Sequence, residues 1–251
     1  MIYSLPYDII LSKNKESTKK GTPVMKLLLD TANLKEIEEI NSAYSIIGVT
    51  TNPTILSKEG KDPVEVLLAI RKIIGNKELH VQLTENEFDL MMDEAHAIVN
   101  LLGENTFIKV PVSELGLKVT KALADEGIGV TETAIFTAAQ AMLAAEAGAA
   151  YVAPYVSRIE NLSGNGIETV ADIACIFSEG SNSTQILAAS FKTARQVVDT
   201  ALAGAHTSTV PTDILRKLVS HTSTDTSIEG FDKDFKGAFG GKTLLQLINA
   251  K

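Results

Sequence analysis

The sequence predicts an α/β fold, a single-domain (β/α)8 TIM barrel with an added C-terminal helix. Three observations predict it. Short β-branched runs alternate with helical stretches along the chain, as parallel strands joined by helical crossovers do. The alternation repeats eight times. The polar residues fall where the runs end, which is where this fold gathers its chemistry.

In chain order, strands are expected at residues 26–29, 46–49, 79–83, 106–110, 129–131, 150–153, 185–189 and, more weakly patterned, 207–210. The helices between them have readable ends. Asp62 caps and Pro63 opens a helix over 64–74 that stops at Gly75, and Ser113 precedes another that stops near Gly127. Residues 1–24 carry Lys13, Lys15, Lys19 and Lys20 without periodicity, and a second methionine, Met25, opens the first clean strand. They are read as an appended segment or alternative start, with the barrel spanning 25–251. Phe231, Phe235 and Phe239, at i, i+4 and i+8 within 228–240, form one apolar stripe on the C-terminal helix.

Thr106-Phe107-Ile108-Lys109-Val110-Pro111-Val112 places one lysine inside an otherwise apolar, β-prone segment. In a strand, Phe107, Lys109 and Pro111 share one face, and Ile108, Val110 and Val112 the other. Neither face of a helix-covered parallel sheet meets bulk water. An ammonium there is costly to keep charged, so its pKa is expected to fall and free the amine to attack a carbonyl. The alternative is an edge-strand lysine whose head reaches solvent.

Composition narrows the functional classes. A hydrophobic fraction of 45% supports one substantial core. A net charge of −8 argues against a polyanion-binding surface, so no nucleic acid partner is expected, while a local basic pocket for one anion remains compatible. The one cysteine, Cys175, lies in the apolar run Val170-Ala171-Asp172-Ile173-Ala174-Cys175-Ile176-Phe177. It allows no intramolecular disulfide and is read as a small core residue in a protein of a reducing compartment. No apolar stretch approaches the roughly 18 residues that span a bilayer, so a cytoplasmic protein without a membrane partner is expected. His80, His96, His206 and His221 show no metal-ligand spacing with one another or with Cys175, and they read as surface or helix-flank residues. Ser163-Gly164-Asn165-Gly166 reads as a turn before a helix, lacking dinucleotide or P-loop spacing.

The strand ends supply the parts that a lysine nucleophile needs. Asp30 follows the first strand, Thr50-Thr51-Asn52 the second, Gln82 and Thr84 the third, Thr133 the fifth, Tyr155 and Arg158 the sixth, and Ser190 with Lys192 the seventh. An ionised Asp30 would favour an iminium on Lys109, yet would also raise the lysine pKa. Asn52 can donate to and accept from a sugar hydroxyl. Arg158, Lys192 and the Ser190 hydroxyl suit a phosphate. Tyr155 is a candidate acid/base group.

Several segments together resemble the small-subunit transaldolases and the related fructose-6-phosphate aldolases. They are Leu29-Asp30-Thr31-Ala32-Asn33, Gly48-Val49-Thr50-Thr51-Asn52-Pro53-Thr54, Ile108-Lys109-Val110-Pro111-Val112 and Ala147-Gly148-Ala149-Ala150-Tyr151-Val152-Ala153-Pro154-Tyr155. Ala188-Ala189-Ser190-Phe191-Lys192-Thr193 and Phe235-Lys236-Gly237-Ala238-Phe239-Gly240 add to them. The resemblance implies a class I (Schiff-base) aldolase acting on fructose 6-phosphate, with Lys109 as nucleophile, Asp30 as carboxylate, and Asn52 and Thr51 at substrate hydroxyls. It implies phosphate contacts from Arg158, Ser190 and Lys192, and no metal or organic cofactor. Gln82, where transaldolases usually carry glutamate, and Tyr155, where they carry phenylalanine, look like the aldolase branch, in which the tyrosine shuttles the proton while Gln82 and Thr133 position water. The alternatives are a transaldolase that transfers a dihydroxyacetone unit, action on a sulfonated sugar analogue, and a catalytically silent sugar-phosphate-binding barrel. Glu132 departs from the aldolase pattern and is expected to bring another carboxyl near the barrel mouth. The resemblance also implies a homo-oligomer, a pentamer or decamer.

Overall fold

Parallel strands cannot be joined by tight hairpins, so each short apolar run needs a helical crossover before the next. In the computed structural model, which describes residues 25–180 and 183–251, eight runs close into one parallel barrel in sequence order. They are β1 (Lys26–Asp30), β2 (Ile46–Thr50), β3 (Glu78–Gln82), β4 (Thr106–Pro111), β5 (Val130–Ile135), β6 (Tyr151–Pro154), β7 (Gln185–Ala188) and β8 (Thr207–Val210). The helices around them are α1 (Leu34–Ala43), α2 (Pro53–Lys58), α3 (Pro63–Ile74), α4 (Phe88–Leu102), α5 (Glu114–Asp125), α6 (Ala138–Glu146), α7 (Val156–Asn161), α8 (Gly166–Glu179), α9 (Ala194–Leu202) and α10 (Thr212–Val219). Two more, α11 (Thr222–Ala238) and α12 (Leu244–Ile248), follow the last strand. The expected barrel is therefore the fold observed. The N-terminal lead 1–24 lies outside the described residues.

Local chemistry sets the helix ends. The Asp62 carboxylate accepts from the Val64 and Glu65 amides at 2.7 and 3.2 Å, Pro63 occupies the first turn of α3, and Gly75 leaves it with φ of 60°. Ser113 caps α5 through the Gly116 amide at 2.9 Å. Asn165 caps α8, so the Ser163-Gly164-Asn165-Gly166 segment is a turn that starts a helix, as expected.

Pleating sorts each strand between two cores. On β4, Ile108 and Val110 point outward and pack with Met91 and Ala95 of α4 and Val119 and Leu123 of α5. Burying each such side chain contributes roughly 1.5–3 kcal/mol. Phe107 and Lys109 point inward. Leu28, Phe107, Tyr151 and Leu187 fill the inside of the barrel below the lysine. Gly48 of β2 is required by its neighbour, because a Cβ there would lie 2.2 Å from the Glu78 carbonyl oxygen.

Four expectations are corrected. His80 is not a surface residue: it is wholly buried on the inward face of β3, stacked on Phe107 with ring centroids 4.7 Å apart. Its Nδ1 pairs with Thr131 Oγ1 at 2.8 Å and its Nε2 with Glu78 at 3.2 Å. Cys175 is exposed, not core, because α8 buries Val170, Ile173 and Phe177, and position 175 falls on the opposite side of that helix. β5 continues through Ile135, so Thr133 lies within it. A register shift against β6 and a left-handed Ala134 (φ 58°) break the period-two pattern from which strands are read. Glu132, finally, points away from the barrel mouth. It is buried between β5 and α5, where Oε1 accepts from Thr120 Oγ1 at 2.9 Å and Oε2 has no partner among the described residues.

The apolar stripe of α11 does not pack on the barrel. That helix buries no residue, and Phe231 and Phe239 are exposed, the latter tilted against Phe235 at 4.7 Å. Among the described residues, no helix is long and apolar enough to cross a membrane.

Burial pushes the Glu132 carboxyl up to about 7 from its ordinary 4.5, partly offset by the Thr120 hydrogen bond. A carboxyl that keeps its proton longer in the folded chain than in the unfolded one makes stability fall as pH rises from about 4.5 to about 7. Glu132→Gln is therefore expected to be more stable than the parent by ~1–3 kcal/mol at pH 8 and nearly equal to it at pH 5. Thermal melts at both pH values measure it, and an equal difference at the two would mean that Glu132 does not titrate in this range.

Candidate active site

The C-terminal ends of the strands surround a cavity of about 210 Å³ that opens to solvent. Lys109 rises into it from β4. The side chain is 5% exposed, and its Nζ donates to the Thr51 carbonyl oxygen at 2.7 Å. Burial drives its pKa below the ordinary lysine value, with the nearby Asp30 charge pulling the other way. Asp30, ending β1, shows the converse. Burial raises its pKa, while Lys109, the Thr50 hydrogen bond and the more distant charges of Arg158 and Lys58 lower it. Among the described residues, no direct ion pair joins Asp30 to Lys109. Instead Thr50 Oγ1 donates to Asp30 Oδ1 at 2.8 Å and lies 2.6 Å from Thr209 Oγ1.

The opposite wall comes from β5, β6 and β7. Tyr155 stands at the start of α7, held by a bridge to Ala189, and its hydroxyl is 2.9 Å from Thr133 Oγ1. Its ring meets Phe136 edge-on at 5.9 Å, and the Arg158 guanidinium lies 4.6 Å from the ring centroid. Beyond β7, Ser190 adopts a left-handed conformation with φ of 64°, a strained state for a residue with a side chain. Its carbonyl accepts from the Ser157 amide at 2.9 Å, which ties this turn to α7. Arg158 and Lys192 are exposed at the rim.

Of the ten residues named from sequence, eight line this one cavity: Asp30, Asn52, Lys109, Thr133, Tyr155, Arg158, Ser190 and Lys192. Two do not. The Thr51 side chain is turned away to donate to the His80 carbonyl at 3.1 Å, so Thr51 meets the site through its own carbonyl. Gln82 is half-buried on the inward side of β3, next to Lys109 in register, outside the cavity wall. Among the other polar lining residues, Thr50 was named only as a strand-end residue, and Thr54, Lys58 and Thr209 were given no place in the site. Helical periodicity could have found Lys58, because Thr54, Ile55 and Lys58 share the face of α2 that follows Asn52. Thr209 lies within the weakest strand pattern and offered no such signal. Among the described residues, no cluster of three or more His, Cys, Asp or Glu side chains is arranged to hold a metal ion.

Chemically, the cavity brings an amine nucleophile, a carboxylate and a phenol within one enclosure, with cations at the rim. These suffice to bind an anionic carbonyl compound, form an imine and move protons around it.

The transaldolase/fructose-6-phosphate aldolase family model matches residues 27–242. A probable transaldolase of Clostridium acetobutylicum is 41% identical over 215 residues, covering 86% of this chain and 99% of the relative. Probable transaldolases of Clostridioides difficile and Lachnoclostridium phytofermentans are 39% and 40% identical, covering 85% and 86% of this chain and 98% and 100% of theirs. A solved dihydrodipicolinate synthase from Rhodopseudomonas palustris superposes with a TM-score of 0.55 at 14% identity, covering 76% of this chain and 71% of that one, a likeness of fold alone. With its barrel, its inward lysine and a match from the first strand into the C-terminal helices, the chain belongs to the transaldolase/fructose-6-phosphate aldolase family and is an enzyme of that kind.

Proposed function

We propose that the protein is a Schiff-base aldolase that cleaves fructose 6-phosphate to glyceraldehyde 3-phosphate and dihydroxyacetone, and runs the reverse condensation. The Lys109 amine adds to the C2 carbonyl, and loss of water leaves an iminium. Asp30, as a carboxylate beside it, accepts the C4 hydroxyl proton. The C3–C4 bond breaks, its electrons pass into the iminium to give an enamine, and the aldehyde departs. Protonation of the enamine carbon and hydrolysis then release dihydroxyacetone and restore the amine. Asn52 binds a hydroxyl of the retained unit, while Arg158, Ser190 and Lys192 bind the phosphate of the departing half.

The observation that carries aldolase over transfer is the Tyr155 hydroxyl, paired with Thr133 Oγ1 at 2.9 Å in the same cavity as Lys109. A phenol there can protonate the enamine, directly or through a water that Thr133 and Gln82 orient, so the cycle closes without an acceptor. The second reading, transfer of the dihydroxyacetone unit to another aldose phosphate, is favoured by the names of the relatives. The two separate in one assay: glyceraldehyde 3-phosphate formed from fructose 6-phosphate without acceptor, measured against moles of enzyme. Many turnovers per subunit, falling about 100-fold in Tyr155→Phe, are expected of the aldolase. A burst near one equivalent, relieved by erythrose 4-phosphate, would make it a transaldolase.

The depressed lysine pKa has its own signature. Below that pKa the amine is protonated and unreactive, so borohydride-trapped dihydroxyacetone adduct should grow with pH along a titration centred below the ordinary lysine value of 10.5. Mass spectrometry should place the adduct on Lys109, and its absence there would remove the nucleophile from the scheme.

The unpacked side of α11, with Ile228, Phe231 and Phe239 exposed, supports assembly into a homo-oligomer, as a pentamer or decamer. Light scattering should give a multiple of the 26.8 kDa chain, and a single-chain mass would refute the assembly.

A further inference from the structure

We propose that Thr209, acting through Thr50, is a positioning residue that holds Asp30 as a carboxylate with one oxygen committed to the barrel wall and the other free for substrate. The inference rests on the reading of Asp30 as the proton acceptor and extends the working site across the seam where the barrel closes. β1 lies between β2 and β8, so Thr50 and Thr209 reach the Asp30 side of the cavity from its two neighbouring strands.

Proton counting gives the chain its direction. A threonine hydroxyl has one proton to donate. Thr50 Oγ1 gives its proton to Asp30 Oδ1 at 2.8 Å, so in the 2.6 Å contact between the two threonines Thr209 is the donor. Both O–H bonds then point toward the carboxylate. If Asp30 were protonated and donated to Thr50, the chain would reverse and the Thr209 proton would need a new acceptor. Among the described residues, Thr50 is the one side-chain or backbone group that meets Thr209 Oγ1, and Thr209 is 3% exposed. The reversed chain turns the Thr209 proton out of the wall toward the cavity, while the forward chain pairs every hydroxyl proton within the protein. A proton on Oδ2 would leave the forward chain in place, but a hydroxyl bonds a carboxylate more strongly than a neutral acid, so the arrangement still opposes the tendency of burial to protonate Asp30. It also fixes the rotation of the carboxylate, leaving Oδ2 toward the cavity.

A pair of threonines that merely filled the wall would not influence the pH dependence of the reaction, and that difference is the test. Steady-state cleavage of fructose 6-phosphate is measured across pH with erythrose 4-phosphate present, so that turnover does not depend on how the enamine is resolved. In Thr209→Val the acid limb of kcat/KM should move up by about half to one pH unit, with a several-fold loss on that limb and convergence with the parent above it. Thr209→Ser should restore the parent profile. Thr209→Ala, which adds no methyl against β1, replaces the valine variant if circular dichroism shows that the latter misfolds. An unmoved acid limb, or a uniform loss at all pH values that serine does not restore, overturns the proposal. Asp30→Asn separates the two levels of inference. If it cleaves like the parent, the role of Asp30 fails whatever Thr209 does. If it is inactive and the threonine variants keep the parent limb, only the hydroxyl chain fails.

Discussion

Lys109 projects into a ring of eight strands where its ammonium form loses hydration that one carbonyl contact, from Thr51, does not replace. Burial favours the neutral amine, and the Asp30 charge favours the cation, in opposition within one cavity. A fully paired lysine would be an inert ion, and an isolated one would leave no counter-charge for an iminium. The Thr50 and Thr209 hydroxyls, the inward turn of β4 and the packed layer of Phe107, His80 and Tyr151 beneath all serve to keep the two groups near each other without a direct ion pair. The rest of the barrel supplies the rigid frame that makes such a compromise persist.

Buried and exposed groups divide the site. Asp30 and Lys109, the groups proposed to react with the sugar, sit on barrel strands paired on both sides, whereas Arg158 and Lys192 stand exposed on the segments that follow. Exposed cations interact with an anion through screened, long-ranged fields, which suits capture and orientation more than bond making. Arg158 is an intermediate case, because its contact with the Tyr155 ring links the proposed anion-binding rim to the phenol.

Much of this was readable before the structure. The eight strands follow from β-branched runs and turn residues, and Lys109 stands out because one cation in an apolar strand has few uses. What could not be read shares a physical cause, namely that periodicity fixes which face a residue takes only while the period lasts. Ala134 breaks the pleat of β5 and hid the length of that strand, whereas the outward turn of Glu132 follows the alternation that turns Thr131 and Thr133 inward. His80 looked like a surface residue because its partners, Glu78, Thr131 and Phe107, come mostly from other strands. Cys175 was misplaced because an apolar neighbourhood in sequence does not decide which side of a helix is covered. Thr51 meets the cavity through its backbone carbonyl, which a side-chain pattern does not report.

The closure of the barrel by β8 has a consequence for how the molecule comes into being. During synthesis the lysine strand emerges roughly one hundred residues before the strand that carries Thr209. In the unfolded chain the Lys109 amine is an ordinary hydrated lysine, protonated at neutral pH, because the burial that lowers its pKa belongs to the folded barrel. On the proposed mechanism the amine gains its reactivity with folding, so an unfolded chain carries the lysine without that reactivity.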